Sequence, residues 1–456
     1  MQPHPPASPV AVADPSAELW QSAARVLDTN WSGDHTVPSR RLYPHQWSWD
    51  AAFIAVGLAY VNPSRAWRDL RSLFEAQWPD GRVPHIVFDP DTAEEDYFPG
   101  PGIWNVPAYA GRRARGSTGL VQPPLHALAA WEVYRHASAH GAACVSEART
   151  ELAWLYPRLV AQQDYLTERR DAGGTGLASI VHPWESGLDD SPAWDTVLDA
   201  VPADLTLLDR HPRRDLPVAD ATQLPTDLDF ARYLGLVLGY RDGGYSDTEL
   251  VLRHPFVVEC PAFNSILATA ELALAQIAGV LGRTGDAGRH RDRAREITAA
   301  LARRLWDPAT RSFRARDART GRLSPARCVS GLLPLMLPDL PADRADAIMA
   351  EIRSERFGLP APSADRTAPS FDAGRYWRGP VWINVNWLLR RGMQVHGHHG
   401  EAEQLRRAML RLVHEHGHYE YFHPETGQGL GAPAFSWTAA LCLDLLADRS
   451  APAYAR

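Results

Sequence analysis

The chain has 456 residues, 45% of them apolar and 22% charged, with a formal net charge of -7. That composition supports a buried core and shows none of the bias of a disordered or fibrous protein, and the acidic balance argues against binding a phosphate backbone, which calls for a basic face. Length alone does not force two domains, because helical and α/β barrels run past about 250 residues as single units.

Residues 1–16 are rich in Pro and Ala and lack a cationic start followed by an apolar run, so they read as a loose tail and not as a signal peptide. The remainder, 17–449, reads as one domain with a loop insertion at 171–225. Helical periodicity begins over 17–30, 49–61 and 65–78, and a short alternating stretch lies near 82–88. Further helices are expected over 124–137, 147–169, 227–240, 261–281 and 287–306. The last of these holds the Arg-rich stretch from Arg289 to Arg304, whose interspersed acids mark a solvated face. A second short alternating stretch at 312–316 precedes helices over 342–353, 381–395, 401–415 and 435–447.

Pro- and Gly-rich connections at 96–107 and 359–376 break the pattern. A dozen helices with scarce strand signals exclude a doubly wound sheet and fit an all-α fold, two concentric rings of six in an (α/α)6 barrel whose loops form a pocket. A superhelical stack of helix pairs is the other architecture considered, but it calls for a fixed-period repeat that is absent.

Cys144, Cys260, Cys328 and Cys442 are scattered without a CxxC pair, which indicates buried thiols and not bridges or ligands. No run reads as long and apolar enough to span a bilayer. A cytoplasmic protein with a small carbohydrate partner is expected, with neither nucleic acid nor membrane as partner and with homo-oligomerisation left open. His414, His416 and His418 alternate in what reads as a surface loop without accompanying ligands, so no metal and no cofactor is expected. Phosphate-binding Gly-rich loops and a Gly-x-Ser-x-Gly elbow are also missing.

Two acidic segments flanked by aromatics carry the chemistry: His182-Pro183-Trp184-Glu185-Ser186-Gly187-Leu188-Asp189-Asp190-Ser191-Pro192 and His418-Tyr419-Glu420-Tyr421-Phe422. Glycoside hydrolysis needs two carboxyl groups on opposite sides of one sugar. Asp189 follows Gly187 in a turn-like segment where Glu185, Asp190 and Asp195 could raise its pKa, which suits a general acid. Glu420 lies in a loop before the final helix and suits the general base. An isolated acid in either place would equally cap a helix, and Asp190-Ser191-Pro192 is itself a helix-start signal.

The acids are accompanied, however. Arg41-Leu42-Tyr43-Pro44-His45-Gln46-Trp47-Ser48-Trp49-Asp50 offers aromatic faces and polar groups for a pyranose, with Tyr43, Trp47, Trp49 and Asp50 as the candidates. Arg375-Tyr376-Trp377-Arg378-Gly379-Pro380-Val381-Trp382 is a similar cluster, and Gln122 before Pro123-Pro124 offers an amide to hydroxyls.

In combination, Trp49-Asp50, Gln122-Pro123-Pro124, Trp184-Glu185-Ser186-Gly187-Leu188-Asp189, Tyr376-Trp377-Arg378-Gly379-Pro380-Val381-Trp382 and Tyr419-Glu420-Tyr421-Phe422, followed by Phe435-Ser436-Trp437-Thr438, resemble glycoside hydrolase family 63. The likeness extends to its short bacterial glucosylglycerate and mannosylglycerate hydrolases and is collinear over about residues 40–445. It implies an (α/α)6 barrel and inversion at an α-linked glucose or mannose, with Asp189 as acid and Glu420 as base. It also implies a substrate site holding Trp49, Asp50, Gln122, Trp184, Glu185, Gly187, Tyr376, Trp377, Arg378, Gly379, Trp382 and Trp437, and a loop bearing Tyr97 over the acceptor.

The chain departs from the family pattern in two places. Asp190 stands where relatives often carry Asn. Leu224 stands before Pro225-Thr226 where relatives tend to carry Arg, which leaves Arg210, Arg213, Arg214 or Arg232 to receive a glycerate carboxylate. The leading expectation is hydrolysis of a small solute such as 2-O-α-glucosylglycerate. A trehalase-like or α-glucobiose hydrolase, a His-based sugar epimerase and a non-catalytic sugar-binding protein are the alternatives.

Overall fold

A computed structural model describes residues 15–93, 97–111, 114–138, 141–213 and 220–447. Twelve helices of at least 11 residues occur among them: α1 (Pro15–Thr29), α2 (Ser48–Val61), α3 (Pro63–Glu75), α4 (His126–Ser138), α5 (Ala142–Asp164), α6 (Asp227–Asp242), α7 (Pro261–Val280), α8 (Thr284–Arg304), α9 (Ala342–Arg353), α10 (Ile383–Val395), α11 (His399–His416) and α12 (Ser436–Leu446). Each overlaps a helix expected from periodicity. Apart from residues 15 and 16, the expected N-terminal tail lies outside the described residues, and α1 begins at Pro15.

The helices form two rings. Contacts run α2 to α4, α4 to α7, α7 to a pair of 3-10 turns (Val329–Gly331 and Leu333–Met336), those turns to α10, and α10 through α12 back to α2. The outer layer is α1 on α12, α3 on α2, α5 on α4, α8 on α7, α9 on the 3-10 pair and α11 on α10. Sequence dictates the layers: α2, α7, α10 and α12 are buried nearly all round, as inner helices must be. By contrast, α3 buries Ala66, Trp67, Leu70, Leu73 and Phe74 on one stripe and turns its arginines outward. At Gly57 of α2 an added Cβ would stand 2.3 Å from the Ala440 Cα, so α2 and α12 meet backbone to backbone where only glycine fits.

The barrel departs from twelve ring helices in one respect. The sixth inner position is filled by the 3-10 turns, because Gly331 and Pro334 interrupt any longer helix there. The twelfth helix, α6, instead follows the long 171–225 segment and packs against the short helices Thr206–Arg210 and Pro101–Trp104 beside the pocket mouth. The long segment is broken by 3-10 turns at Pro183–Ser186, Pro192–Trp194 and Ala221–Gln223. Two-residue strands occur where alternation suggested them, at Ile86–Val87, Ser312–Phe313 and Arg316–Asp317.

Three sequence expectations need correction. Helix α7 is long and apolar enough to cross a membrane, but 83% of its apolar window is buried inside the protein, as befits a central barrel helix. Cys144 is exposed, whereas Cys260, Cys328 and Cys442 are buried free thiols. His414 and His416 lie in the last turn of α11, not in a loop, and His418 is buried with Nε2 2.9 Å from Ser22 Oγ. No metal-binding cluster occurs among the described residues.

Candidate active site

The inner helices deliver their N-terminal ends to one pole of the barrel, where two joined chambers open. Tyr43, Trp47, Trp49, Asp50, Gln122 and Gly187 line the inner one together with Asp189, Tyr376, Trp377, Glu420, Phe435 and Trp437. Tyr43, Trp47, Asp189 and Tyr376 also border the outer one, so the two are continuous. The inner chamber holds about 320 Å³ and the outer about 880 Å³ of space outside the protein atoms, open solvent included.

Helix α2 starts without a side-chain cap of its own, so neighbouring loops satisfy its first amides. Ser48 N–H donates to the His85 carbonyl at 2.9 Å, and Trp49 N–H donates to Gln122 Oε1 at 3.1 Å. That bond leaves the Gln122 amide NH2 as the side free for a sugar hydroxyl. Asp50 is buried in the first turn.

The 3-10 turn Pro183–Ser186 has three residues per revolution, so Trp184 and Gly187 share one face and Glu185 points elsewhere. Gly187 has φ +68°, and a Cβ there would lie 2.6 Å from the Trp49 ring. The aromatic floor therefore reaches the acid-bearing loop only because residue 187 is glycine.

Glu420 enters just before the hairpin Tyr421–Phe422 and Gly429–Leu430. Its Oε1 accepts from Tyr43 Oη at 3.0 Å and its Oε2 accepts from Ala432 N–H at 3.0 Å. Those donors favour the ionised form, but burial prevails and lifts the carboxyl to about 7. Asp189 is lifted well above the ordinary carboxyl range by burial first, then by the charges of Glu420 and Asp190. Asp50 is raised by burial, by Glu420 and by Asp189. Three acids in one chamber thus oppose one another's ionisation, and Glu420, with two donors, is best placed to carry the negative charge.

Behind these acids, Arg375 Nε reaches Asp190 Oδ2 at 2.7 Å and Arg378 Nε reaches Asp190 Oδ1 at 3.3 Å. Arg378 also pairs with Asp195, at 3.0 Å through Nη1. Asp190 does raise Asp189, as its position suggested, but Asp195 is occupied by Arg378. Burial holds Asp190 itself at about 6 despite the two guanidinium groups. Tyr376 sits at φ +29°, a strained value for a non-glycine residue, with its carbonyl accepting from Trp382 Nε1 at 3.0 Å.

Of the residues expected in the site, four lie behind it. Glu185 is fully buried, paired with Arg170, and accepts from Val121 N–H at 3.1 Å and Val181 N–H at 2.7 Å. It therefore neither touches the chamber nor counts among the charges acting on Asp189. Arg378 is turned to Asp190 and Asp195. Gly379 packs against the Asp372 backbone, where a Cβ would come within 2.1 Å of its carbonyl oxygen. Trp382 is stacked behind Trp377, with centroids 3.8 Å apart and planes 4° from parallel.

The outer chamber is lined by Tyr97 and Trp184, as expected, and by several residues that sequence reasoning missed: Arg41, His85, Phe98, Pro99 and Phe230. Leu224 and Pro225 complete the wall. Burial drives His85 well below its ordinary pKa, so it is neutral. None of the described arginines named as substitutes for residue 224 lines this chamber. Arg210 pairs with Asp204 at 3.6 Å and Arg232 with Asp199 at 3.0 Å. Arg213 lies under the wall, its guanidinium 3.8 Å from the Phe230 ring centroid and bonded to the Pro225 carbonyl at 2.9 Å. Arg214 is outside the described residues.

Residues 43–438 match the family described as the mannosylglycerate hydrolase MGH1-like glycoside hydrolase domain. The chain is 38% identical over 446 residues to the mannosylglycerate hydrolase of Rubrobacter radiotolerans, covering 96% of this chain and 98% of that protein. It is 34% identical to the glucosylglycerate hydrolase of Mycolicibacterium hassiacum, covering 95% and 99%. A crystal structure of the family 63 mannosylglycerate hydrolase from Thermus thermophilus, in complex with Tris and D-glycerate, superimposes with a TM-score of 0.85 at 38% identity over 94% of this chain and all of that one.

Proposed function

The chain belongs to the MGH1-like glycoside hydrolases of family 63, and from that premise we propose that it hydrolyses a small α-linked glycosylglycerate with inversion at the sugar. The observation that carries this reading is the pair Asp189 and Glu420, which share the inner chamber but sit in different electrostatic settings. Asp189 also borders the outer chamber, so it is the acid facing both the sugar and the leaving group.

In this assignment the sugar lies in the inner chamber on the Trp49, Trp377 and Trp437 faces, with Asp50 and the Gln122 NH2 on its hydroxyls. Glyceryl oxygen lies towards Asp189. Ionised Glu420 takes a proton from water as the water oxygen bonds to the anomeric carbon. The bond from that carbon to the glyceryl oxygen breaks, and the oxygen takes the proton of Asp189. The products are the free sugar and glycerate. Water then carries the proton from Glu420 back to Asp189 for the next turnover.

Carboxyl groups are the titratable side chains of the inner chamber that suit acid–base work near neutral pH, and His85, the one histidine among the described residues lining the outer chamber, is held by burial too far below its ordinary pKa to serve as an acid; both facts favour hydrolysis over an epimerase that needs a histidine acid and a histidine base. Residues 17–449 are taken as one catalytic domain acting on a small soluble carbohydrate without a cofactor.

The substrate assignment is tested by incubating the purified protein with glucosylglycerate, mannosylglycerate, trehalose and kojibiose in parallel. Release of glycerate from one or both glycosylglycerates is expected, with the neutral disaccharides turned over at least about 100-fold less efficiently, because a chamber shaped for a short acid loses most of its contacts with a second ring. Preferred turnover of trehalose or kojibiose would replace the acceptor assignment.

A further inference from the structure

We infer that Arg41 is the side chain that receives the carboxylate of the leaving glycerate, an assignment that rests on the glycosylglycerate reading above. The carboxylate carbon of a 2-O-linked glycerate is bonded to the carbon that bears the bridging oxygen. It therefore enters the chamber close to Asp189 and Glu420, where an unbalanced anion would be repelled. A cation on that side offsets this repulsion more strongly than a neutral donor can. Leu224, Pro225, Phe230 and Phe98 cannot supply one, and neutral His85 does not. Among the described residues lining the outer chamber, Arg41 is the one permanently charged cation.

The surrounding turn places Arg41 at the chamber wall. Tyr43 N–H donates to the Ser39 carbonyl at 2.9 Å and closes the turn. The preceding Arg40 is anchored away from the chamber, to the Thr29 carbonyl at 2.6 Å and the Trp31 carbonyl at 2.7 Å. Two residues beyond Arg41, Tyr43 holds Glu420. One short turn thus orients the group that activates water and presents the guanidinium that recognises the leaving group. A planar guanidinium matches a carboxylate through two parallel hydrogen bonds, and the exposure of Arg41 lets the product anion depart to solvent.

The test compares wild type, Arg41→Ala and Arg41→Lys. It reads kcat and KM for the better glycosylglycerate and the inhibition constants of D-glycerate and of the free sugar product. Arg41→Ala should raise KM and the D-glycerate inhibition constant about 10-fold, the size of a lost charge-assisted bond at a partly solvated site, with kcat within about 3-fold. Inhibition by the free sugar should not move, and Arg41→Lys should recover part of the loss. Equal shifts for glycerate and sugar, or no shift in either, would overturn the assignment of Arg41 alone. A wild-type protein that leaves both glycosylglycerates intact would overturn the substrate reading and this assignment with it.

Discussion

Replacing Asp189 by Asn, or Glu420 by Gln, is expected to lower kcat by about 100-fold to 10,000-fold, the range for a lost general acid or base, while the protein remains folded. Both substitutions keep the shape of the side chain. In Glu420→Gln the amide oxygen can accept from Ala432 N–H while its NH2 faces the Tyr43 hydroxyl, which can turn to accept. The pH profile separates the two roles. In wild type, Glu420 must be ionised, and since burial raises it to about 7, kcat/KM should fall tenfold per pH unit below about 7. Asp189 must be protonated, and its upward shift places the alkaline limb well above the ordinary carboxyl range. Residual activity in Glu420→Gln should have lost the acidic limb, whereas Asp189→Asn should retain it. Steady-state kinetics between about pH 5 and 9 checks both statements, and near-normal turnover in either variant would remove that residue from the chemistry.

Glu185→Ala should destabilise the protein by about 3–5 kcal/mol, the cost of removing one partner from a buried ion pair. Arg170 and Glu185 are both fully buried, and the Val121 and Val181 amides lose their acceptor with the carboxylate. The same surroundings explain why this acid, in the same motif as Asp189, is structural. Arg170 keeps Asp247 at 3.4 Å as a second partner, so Glu185→Gln, which retains an acceptor for the Val121 or Val181 amide, should lose less than Glu185→Ala. Chemical denaturation measures the difference. A Glu185→Ala protein within about 1 kcal/mol of wild type but with a raised KM would return Glu185 to the substrate site.

The contrast between Glu185 and Asp189 shows how far the sequence could be read. Apolar spacing marked each of the twelve helices because burial acts on whole faces, and all-round burial distinguishes inner helices such as α2 and α7 from one-sided outer ones such as α3. The vacancy of the sixth inner helical position was not legible, since the run Val329–Met336 has core composition while Gly331 and Pro334 decide its backbone. Within the site, motifs located the right segments but not the right faces. In the turn Pro183–Ser186 adjacent residues point a third of a revolution apart, so Trp184 reaches the outer chamber and Gly187 the inner one while Glu185 reaches neither. Trp377 and Trp382 belong to one motif, yet the second supports the first from behind. Phe230 was hidden in the periodic pattern of α6, and His85 in a short alternating stretch, because nothing in their neighbours marks a pocket. Arg41 lies in a segment whose sequence marks its aromatic rings, and nothing in that sequence distinguishes its guanidinium from those of Arg40 and other surface arginines.

The measurement that bears most directly on the central claim is proton NMR of the first sugar released from an α-linked glycosylglycerate, read before mutarotation equilibrates the anomers. If Glu420 delivers water to the face opposite the bond that Asp189 protonates, the β-anomer accumulates first and the α-anomer follows. Early accumulation of the α-anomer would mean retention through a covalent intermediate, and would contradict the assignment of Asp189 and Glu420 as an acid and a base acting across the sugar.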